Sequence, residues 1–537
     1  MNSGAFAQAT TRPPESGWAP TVAALVPGLT VLAHADLGRI GERVALAGLD
    51  RDRRVEVSRL GPLFVAPRAD SRRPLADVHL SRQPLLLGPG SSPGSVMIDP
   101  GSTRMSVELD GRRLTEPRDV SAEEMDRGVV LLLAQRVALL LHHLDPVISN
   151  EASRLGLIGE SHVMSRLRGE IHRVADLDVP VLLRGETGSG KELVARAIHQ
   201  ASRRRGRPMV AVNMAAVPPT LAAAELFGAE RGAFTGADKR RDGHFGRAHK
   251  GTLFLDEVGA TPTDVQALLL RCLETGEVQA VGADRPRSVD VRVIAATDAD
   301  LESAVVAERF AAPLLYRLST YELSVPPLRN RRDDLGRLFV HFLRQELAAS
   351  GERHRMDPPR HGEPSWLPAG LLARLAGYDW PGNVRELRNV VRQLVISNRG
   401  ATQLAIHPAL ERRLIEGEGR GEVHLDSRDG SAKTSRAETD SVMPARRAPA
   451  EVREAELIDA LRAHRWRPSA AADSLGIARA SIYDLIEKSP NVRKASELDR
   501  DEIDTAREHC DGHLECMADT LEVSEAALKR RMHQLEM

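Results

Sequence analysis

Residues 181–192 read Val181-Leu-Leu-Arg-Gly-Glu-Thr-Gly-Ser-Gly-Lys191-Glu192 and set the architecture of the middle of the chain. A short apolar run leads into a glycine-rich loop of the form G-x-x-x-x-G-K, and a helical pattern follows. Such a loop, between a buried strand and a helix, points backbone N–H groups at phosphate oxygens. The residues predicted to bind a nucleotide here are Gly185, Glu186, Thr187, Gly188, Ser189, Gly190, Lys191 and Glu192.

A second apolar run, Thr252-Leu-Phe-Leu255, ends in the acidic pair Asp256 and Glu257. Carboxylates at a strand end beside a phosphate loop predict a magnesium–nucleotide site. Asp256 would hold Mg²⁺, and Glu257 would orient or deprotonate the attacking water. We therefore expect ATP and Mg²⁺ as ligands. Glu192 stands where many phosphate loops carry Ser or Thr, and its alternative role is a favourable acidic residue in a first helical turn.

The pattern around these motifs predicts an α/β fold. Residues 152–333 alternate apolar strands with helical segments, as a parallel sheet requires, and helical periodicity alone continues over 334–400. We expect a P-loop α/β subdomain followed by a helical lid.

Between the two halves of the site, residues 232–237 read Gly-Ala-Phe-Thr-Gly-Ala. With this hexapeptide the chain resembles the bacterial enhancer-binding activators, AAA+ ATPases that act on sigma-54 RNA polymerase. The resemblance implies that ATP turnover raises this loop against the sigma-54 holoenzyme; the alternative is a plain surface loop. The implied contact residues are Gly232, Ala233, Phe234, Thr235, Gly236 and Ala237.

The resemblance assigns further roles. Asn213 matches the asparagine that pairs with the catalytic glutamate in a nucleotide-sensing switch, although a strand-end cap is the alternative. Thr297 ends the sensor strand, and Arg385, within Trp380-Pro-Gly-Asn-Val-Arg-Glu-Leu, matches the second sensor of the lid. All three are implied to act at the nucleotide.

Two positions depart from the family pattern. Asp298 stands where Asn is usual, and Ala311 replaces the first of two arginine fingers, whereas Arg317 keeps the second. Either Arg317 carries the catalytic role alone or hydrolysis is slow. Because such fingers act across a subunit interface, the resemblance implies self-assembly into a ring, most simply a hexamer.

The C-terminal part contains a linker and an internal repeat. Residues 415–450 are rich in Gly, Ser, Arg, Glu and Pro, and two helical copies follow at 451–490 and 495–537. The first copy resembles a Fis-type helix-turn-helix for upstream double-stranded DNA, the alternative being helices without DNA contact. The residues predicted to reach DNA are Arg479, Ser481 and Tyr483. Net charge is +1 for 451–494 and −7 for 495–537, so we expect the second copy to pack, dimerise or meet a protein.

The N-terminal part predicts a disordered lead over 1–27 and an all-β sandwich over 28–145, because short alternating runs are separated by turn signals. It weakly resembles a forkhead-associated domain, which reads phosphothreonine. On that resemblance Arg59, Ser81 and Arg82 would contact a phosphothreonine protein or a Ser/Thr kinase, although Pro84 replaces the usual His.

Composition narrows the remaining possibilities. The 537-residue chain has a net charge of −1, so DNA binding must rely on a local surface. Three cysteines predict no disulfide framework, and the start of the chain lacks a signal-peptide pattern. The apolar run 129–141 is short for a membrane span and predicts core strands or a strand and helix. We expect a cytoplasmic protein without membrane contact.

Another cluster, formed by His509, Cys510, His513 and Cys516, has the residue types of a zinc site. It falls inside the repeat, whose other copy has no cysteine, and this favours helical core and surface over metal binding.

Two main functional hypotheses follow. The first is an ATP-hydrolysing activator that binds upstream DNA and remodels sigma-54 RNA polymerase. The second is a DNA-binding regulator with an impaired ATPase, acting as a scaffold or repressor, which Ala311 and Asp298 suggest. A remodeller of another substrate is a third hypothesis, which the intact hexapeptide disfavours.

Overall fold

The computed structural model describes residues 25–412, apart from 47, 50–52, 67–70, 147–154, 234–238, 360–364, 407 and 409, and residues 452–534, apart from 465, 467–470, 473, 476–481, 483–484, 487–488, 490–491, 493–497 and 511–513. The chain forms two compact units, residues 1–425 and 426–537. The first unit contains an N-terminal β-domain (residues 25–146), an α/β domain and a helical lid.

The N-terminal β-domain consists of two antiparallel sheets around one apolar core. Its first strand begins at Val26, so the predicted boundary at residue 28 is two residues late. The strands are β1 Val26–Ala33, β2 Arg43–Ala45, β3 Val55–Val57, β4 Phe64–Val65, β5 Arg72–Arg73, β6 Leu85–Pro89, β7 Val96–Asp99, β8 Val107–Leu109, β9 Arg112–Arg113, β10 Arg118–Val120, β11 Val129–Leu133 and β12 Val137–Leu144, with helix α1 at Ala122–Arg127 between β10 and β11. In the described residues the larger sheet has the order β5-β4-β2-β1-β12-β11-β8-β9 and the smaller β10-β7-β6-β3.

The hairpin of β11 and β12 explains the most apolar run of the sequence. All five residues of β11 are buried, as are seven of the eight residues of β12. Alternate side chains enter the core between the two sheets, whereas the others, Val130, Leu132, Ala138 and Leu140, join the core of the lid. A strand that is covered on both faces needs a continuous apolar sequence rather than an alternating one.

The α/β domain is built on a parallel sheet in the order β14-β15-β18-β13-β19, with helices connecting its strands. Its elements are α2 His162–Ala175, β13 Val181–Arg184, α3 Lys191–Ala201, β14 Met209–Asn213, α4 Pro219–Phe227, α5 Gly243–Arg247, β15 Thr252–Asp256, α6 Thr263–Thr275, β16 Glu277–Val278, β17 Arg287–Ser288, β18 Arg292–Thr297, α7 Leu301–Val306, α8 Ala312–Leu318 and β19 Tyr321–Ser324. The apolar strands are covered by helices, as the sequence predicts for a parallel sheet.

The lid follows a 3-10 segment, Leu328–Asp334, which we call the connector. Its helices are α9 Leu335–Ala349, α10 Ala369–Gly377 and α11 Asn383–Ser397. Trp380, only 1% exposed, fills the lid core and donates its indole N–H to the Leu375 carbonyl at 3.0 Å.

The second unit is helical where it is described. Helix α12, Glu454–Ala463, belongs to the first repeat, and α13 Arg500–His509, α14 Leu514–Thr520 and α15 Glu525–Gln534 form the second. Equivalent positions of the two copies are buried in separate cores, for example Ile482 and Leu528. Arg479, Ser481 and Tyr483 lie outside the described residues.

The cysteines correct one expectation. Cys510, directly after α13, and Cys516 of α14 form a disulfide with their Cα atoms 5.8 Å apart, whereas the three cysteines had predicted no disulfide framework. Cys272 is free and buried. In the described residues we find no cluster suited to a metal ion, although His513 lies outside them. No helix of the described parts is long and apolar enough to cross a membrane.

Candidate active site

The carboxyl ends of the parallel strands bring most of the predicted nucleotide residues to one edge of the sheet. The phosphate loop follows β13, Asn213 ends β14, Asp256 ends β15 and Thr297 ends β18. Because β18 lies between β13 and β15, the loop and the acidic pair flank the same central strand. This crevice is where open α/β sheets bind ligands.

The phosphate loop has the backbone that its glycines predict. Gly188 and Gly190 have φ of 78° and 109°, in a region that favours glycine. Lys191 is 6% exposed, and its Nζ donates to the Gly185 carbonyl at 2.8 Å. The same Nζ lies 3.8 Å from Glu257 Oε1, so the phosphate lysine and the predicted catalytic carboxylate face each other.

The acidic pair has an unusual backbone. Glu257 has φ 53° and ψ 48°, a left-handed conformation that is uncommon for non-glycine residues and that recurs at active sites. Burial raises the pKa of Glu257, and the Lys191 ammonium opposes that shift. Asn213 Nδ2 donates to Asp256 at 3.3 Å, and its Oδ1 accepts from Ala215 N–H. The amide therefore contacts Asp256 and caps a 3-10 turn, rather than bonding Glu257.

Asp298 lies beside the phosphate loop. The Thr187 hydroxyl donates to its carboxylate, and this bond lowers the pKa of Asp298. Asp298 and Asp256 both interact with Glu257, so three carboxylates cluster at this edge of the sheet. An oxygen-rich set of this kind fits a hard divalent cation.

Glu192 does not face this set. It lies in the first turn of α3, where its Oε1 is 2.5 Å from Nη2 of Arg196, four residues on. The position that often carries a magnesium-binding hydroxyl is here an exposed helical ion pair. The oxygens that fit Mg²⁺ are therefore those of Asp256 and its carboxylate neighbours.

The lid touches the phosphate loop through the start of α11. Val384 N–H donates to the Gly188 carbonyl at 3.1 Å, and a Cβ on Gly188 would lie 2.4 Å from the Gly382 carbonyl oxygen. Arg385, which is exposed, stands directly over this contact, since its Cβ would be 3.0 Å from the added atom. The structure thus brings the predicted lid arginine to the phosphate loop.

Sequence reasoning missed three residues that bond the phosphate loop from the connector and from the start of α11. Arg329 pairs with Glu186, with Nη1 donating at 2.8 Å, and the buried Arg331 donates to the Ser189 carbonyl at 2.9 Å. Asn383 donates to Glu186 at 3.0 Å. Asn383 stands inside the octapeptide already singled out, whereas the sequence around the connector offers only a run of charges.

Arg317 lies away from this crevice in the same chain. It is exposed on α8, and its Nε and Nη2 donate to the Leu273 carbonyl at the end of α6, at 3.1 and 2.8 Å. Ala311 precedes α8 as its N-cap residue and carries no charge.

The hexapeptide loop is described only at its base. Ala229 and Arg241 exchange two backbone hydrogen bonds of 3.0 and 2.8 Å, which close a loop of eleven residues between them. Gly232 and Ala233 belong to the described part, whereas Phe234, Thr235, Gly236 and Ala237 lie outside it. At the base, a Cβ on Gly228 would lie 2.5 Å from the Arg241 carbonyl oxygen, so the closure depends on glycine.

In the N-terminal β-domain, two of the three residues predicted to bind phosphothreonine meet. Arg59 N–H donates to the Ser81 carbonyl at 3.0 Å, so the loop after β3 lies against the loop before β6. Arg82 is exposed next to them.

Comparison with protein families gives two matches. Residues 157–324 match the sigma-54 interaction domain, and residues 329–418 match an AAA+ ATPase lid domain. Together they cover the α/β domain and the lid.

Several curated proteins are similar over the same region. The nitric oxide reductase transcription regulator NorR1 of Cupriavidus necator is 43% identical over 341 residues, which are 62% of this chain and 63% of that protein. The DNA-binding transcriptional regulator NtrC of Rhizobium meliloti is 38% identical over 352 residues, 62% of this chain and 69% of that protein. The chain spans 49–63% of the length of the first three relatives. A crystal structure of NtrX from Brucella abortus in complex with ADP matches with a TM-score of 0.42 and 28% identity, covering 72% of this chain and 70% of that chain.

Proposed function

Because this chain belongs to the family of sigma-54-dependent transcriptional regulators, with an AAA+ ATPase domain at its centre, we propose that it hydrolyses ATP in a ring and remodels sigma-54 RNA polymerase to activate transcription. The observation that carries the proposal is the meeting of Lys191, Asp256 and Glu257 at one sheet edge beneath Arg385. In this proposal the protein acts in the cytoplasm, where RNA polymerase works.

Each side chain has a task at the nucleotide. The loop N–H groups and Lys191 bind the β- and γ-phosphates, and Arg385 reaches them from the lid. Asp256 would hold Mg²⁺, which would supply neutralisation of the phosphate charge. Glu257 orients the attacking water and accepts its proton, and its raised pKa makes it a stronger base once ionised.

The switch and sensor residues report the state of the γ-phosphate. Asn213 bonds Asp256, the chain neighbour of the catalytic Glu257, so a change at the phosphate would reach Asn213 through this acidic pair. Thr297 ends the strand that precedes Asp298, and its hydroxyl accepts from Ala299 N–H at 3.0 Å. Through these contacts, loss of the γ-phosphate would change the conformation of the loop of residues 232–237. That loop would then act on sigma-54.

Arg317 completes the site of the next protomer. It is exposed, and its guanidinium bonds the Leu273 carbonyl near the end of α6, a partner that a phosphate of the neighbouring protomer's nucleotide would replace. In this arrangement hydrolysis requires assembly, and a ring, most simply a hexamer, follows.

The terminal domains supply targeting and control. We place upstream DNA on Arg479, Ser481 and Tyr483 of a Fis-type helix-turn-helix in the first repeat. A phosphothreonine protein or a Ser/Thr kinase would bind the forkhead-associated-like β-domain near Arg59, Ser81 and Arg82. The adjacency of Arg59 and Ser81 supports this placement.

The test is ATP turnover as a function of protein concentration, combined with open-complex formation on a sigma-54 promoter. We expect turnover per protomer to rise steeply with assembly, and open complexes to form with ATP and not without it. A flat, low turnover with normal DNA binding would instead support the regulator with an impaired ATPase. Ala311, which leaves one finger, is the observation that favours this second candidate.

A further inference from the structure

The N-terminal β-domain and the lid share one continuous core. One face of β1, β11 and β12 packs on α9 and α10, and the apolar residues that meet there are Leu32, Val130, Leu132, Leu140, Leu338 and Leu372. All six are less than 7% exposed. The β-domain is therefore packed as a layer of the ATPase rather than held on a tether.

Two glycines allow this close approach. A Cβ on Gly336, at the start of α9, would lie 2.7 Å from the Leu32 carbonyl oxygen of β1. A Cβ on Gly41 would lie 2.1 Å from Arg337 Nε, and the Gly41 carbonyl accepts from Arg337 Nη2 at 2.5 Å. Gly336 thus leaves no room for a side chain against the β1 backbone, and Gly41 has a φ of 85°, which favours glycine.

Charged groups are buried at the edge of the shared core. Arg43 of β2 places Nη2 3.8 Å from Asp333 Oδ2, and the neighbouring Asp334 is fully buried. Burial raises the pKa of Asp333, and Arg43 is the main charge that lowers it again. An ion pair in this setting is costly to break from one side, because the remaining charge stays buried.

Asp333 and Asp334 belong to the connector, which also makes hydrogen bonds to the phosphate loop. Asp334 accepts hydrogen bonds from Glu160 and Ser161 N–H at 2.6 and 3.1 Å, at the start of α2. Two residues before Asp333, Arg331 has φ −140° and ψ 47°, which breaks the helical segment and sends its guanidinium to the Ser189 carbonyl. Arg329 pairs with Glu186 of the same loop.

We infer that Arg43 is a positioning residue for the nucleotide site, although it lies in the N-terminal β-domain. Its pairing with Asp333 holds the connector in the register that keeps Arg329 and Arg331 on the phosphate loop. The β-domain thereby sets nucleotide affinity through a packed contact. This inference rests on the proposed binding of ATP to that loop.

The test measures binding of ATP labelled with a fluorescent N-methylanthraniloyl group to the full chain. We expect Arg43→Met to weaken the Kd about fivefold or more, the lower end of typical coupling between sites. Arg43→Lys, which keeps the positive charge, should leave the Kd near that of the original chain. Arg72→Met, which changes an exposed arginine of the same sheet, is the matched control and should have no effect.

Asp333→Asn approaches the same pair from the connector side with little change in shape, and it should weaken binding as Arg43→Met does. If the Arg43→Met protein does not fold, the Asp333→Asn protein tests the inference in its place. The inference is overturned if folded Arg43→Met and Asp333→Asn proteins bind as Arg72→Met does, or bind more tightly. If the unmodified chain does not bind the labelled ATP, the proposed function fails instead.

Discussion

Glu257 and Arg317, which the proposed reaction requires together, lie in different parts of the α/β domain. Glu257 faces Lys191 in the crevice, whereas Arg317 is bound to the Leu273 carbonyl on another side of the domain. If the reaction needs both, each active site must combine residues of two protomers.

A mixing experiment tests this division. Glu257→Gln and Arg317→Ala proteins should each hydrolyse ATP at least about a hundredfold more slowly than the original chain. Mixed in equal amounts, they should regain turnover, because some interfaces then pair an intact Glu257 with an intact Arg317. Mixing Glu257→Gln with Lys191→Met, which damages the same side of the interface, is the control and should regain nothing. Absence of recovery in the first mixture would contradict a trans-acting Arg317.

His142 gives the β-domain a pH dependence. It is buried against Thr30, with 2.8 Å between Nε2 and the hydroxyl, and burial lowers the pKa of His142 to about 3. The unfolded chain takes up this proton near pH 6.5 and the folded chain does not, so stability falls as pH falls below 6.5 and the loss is complete near pH 3.

His142→Gln should remove that dependence while keeping a partner for Thr30. Between pH 7 and pH 5 we expect the original chain to lose about 2 kcal/mol more unfolding free energy than the variant. Urea unfolding at the two pH values, followed by tryptophan fluorescence, measures the difference. Equal losses in the two proteins would show that His142 is protonated in the folded state.

Among the elements, α9 and α2 offer a paired test of packing. Gly336 of α9 has no room for a Cβ against Leu32, whereas Gly169 of α2 has no neighbour within 4 Å of that position. Gly336→Ala should therefore destabilise the protein by about 1–3 kcal/mol through overpacking. Gly169→Ala should stabilise it by about 1 kcal/mol through helix propensity.

Thermal unfolding of both variants checks this pair. The expected midpoints lie on opposite sides of that of the original chain. A rise for Gly336→Ala would mean that α9 does not press on β1 as the structure has it.

The elements also show what sequence patterns can and cannot predict. The parallel sheet and its helical lid were predicted and are confirmed, because the phosphate loop, the acidic strand end and the octapeptide each imply a local structure. The apolar run 129–141 was interpreted as core, but its second face packs on α9 and α10, over 190 residues away in sequence for α9. No local pattern names such a partner. The reason for glycine at positions 41 and 336 is visible only in the contact between the N-terminal β-domain and the lid.

The site shows the same limit. Motifs predict Lys191, Asp256 and Arg385. In the sequence, Arg329 and Arg331 look like part of a solvated charged run, and only the folded connector shows that both bond the phosphate loop. The disulfide of Cys510 and Cys516 was missed because a separation of 6 residues along the chain does not by itself show that the two side chains meet.

At the scale of the whole molecule, the two units divide the proposed work between ATP hydrolysis and DNA binding. Phosphate contacts dominate DNA affinity, and the second repeat carries a net charge of −7 against +1 for the first. Arg479→Ala should therefore abolish or strongly weaken binding to an upstream operator, and Arg530→Ala should leave it nearly unchanged. Gel-shift titrations at fixed salt measure both. The opposite outcome would assign DNA to the second repeat.

The most direct test concerns delivery of the energy of hydrolysis to the polymerase. Phe234→Leu and Thr235→Ala proteins, which keep the phosphate loop, the acidic pair and Arg317, should hydrolyse ATP at close to the original rate. Open-complex formation on a sigma-54 promoter is then measured with the same proteins in the presence of ATP. We predict that open complexes are lost in both variants while turnover persists. Promoter opening at the unmodified rate would contradict the claim that this loop drives the polymerase.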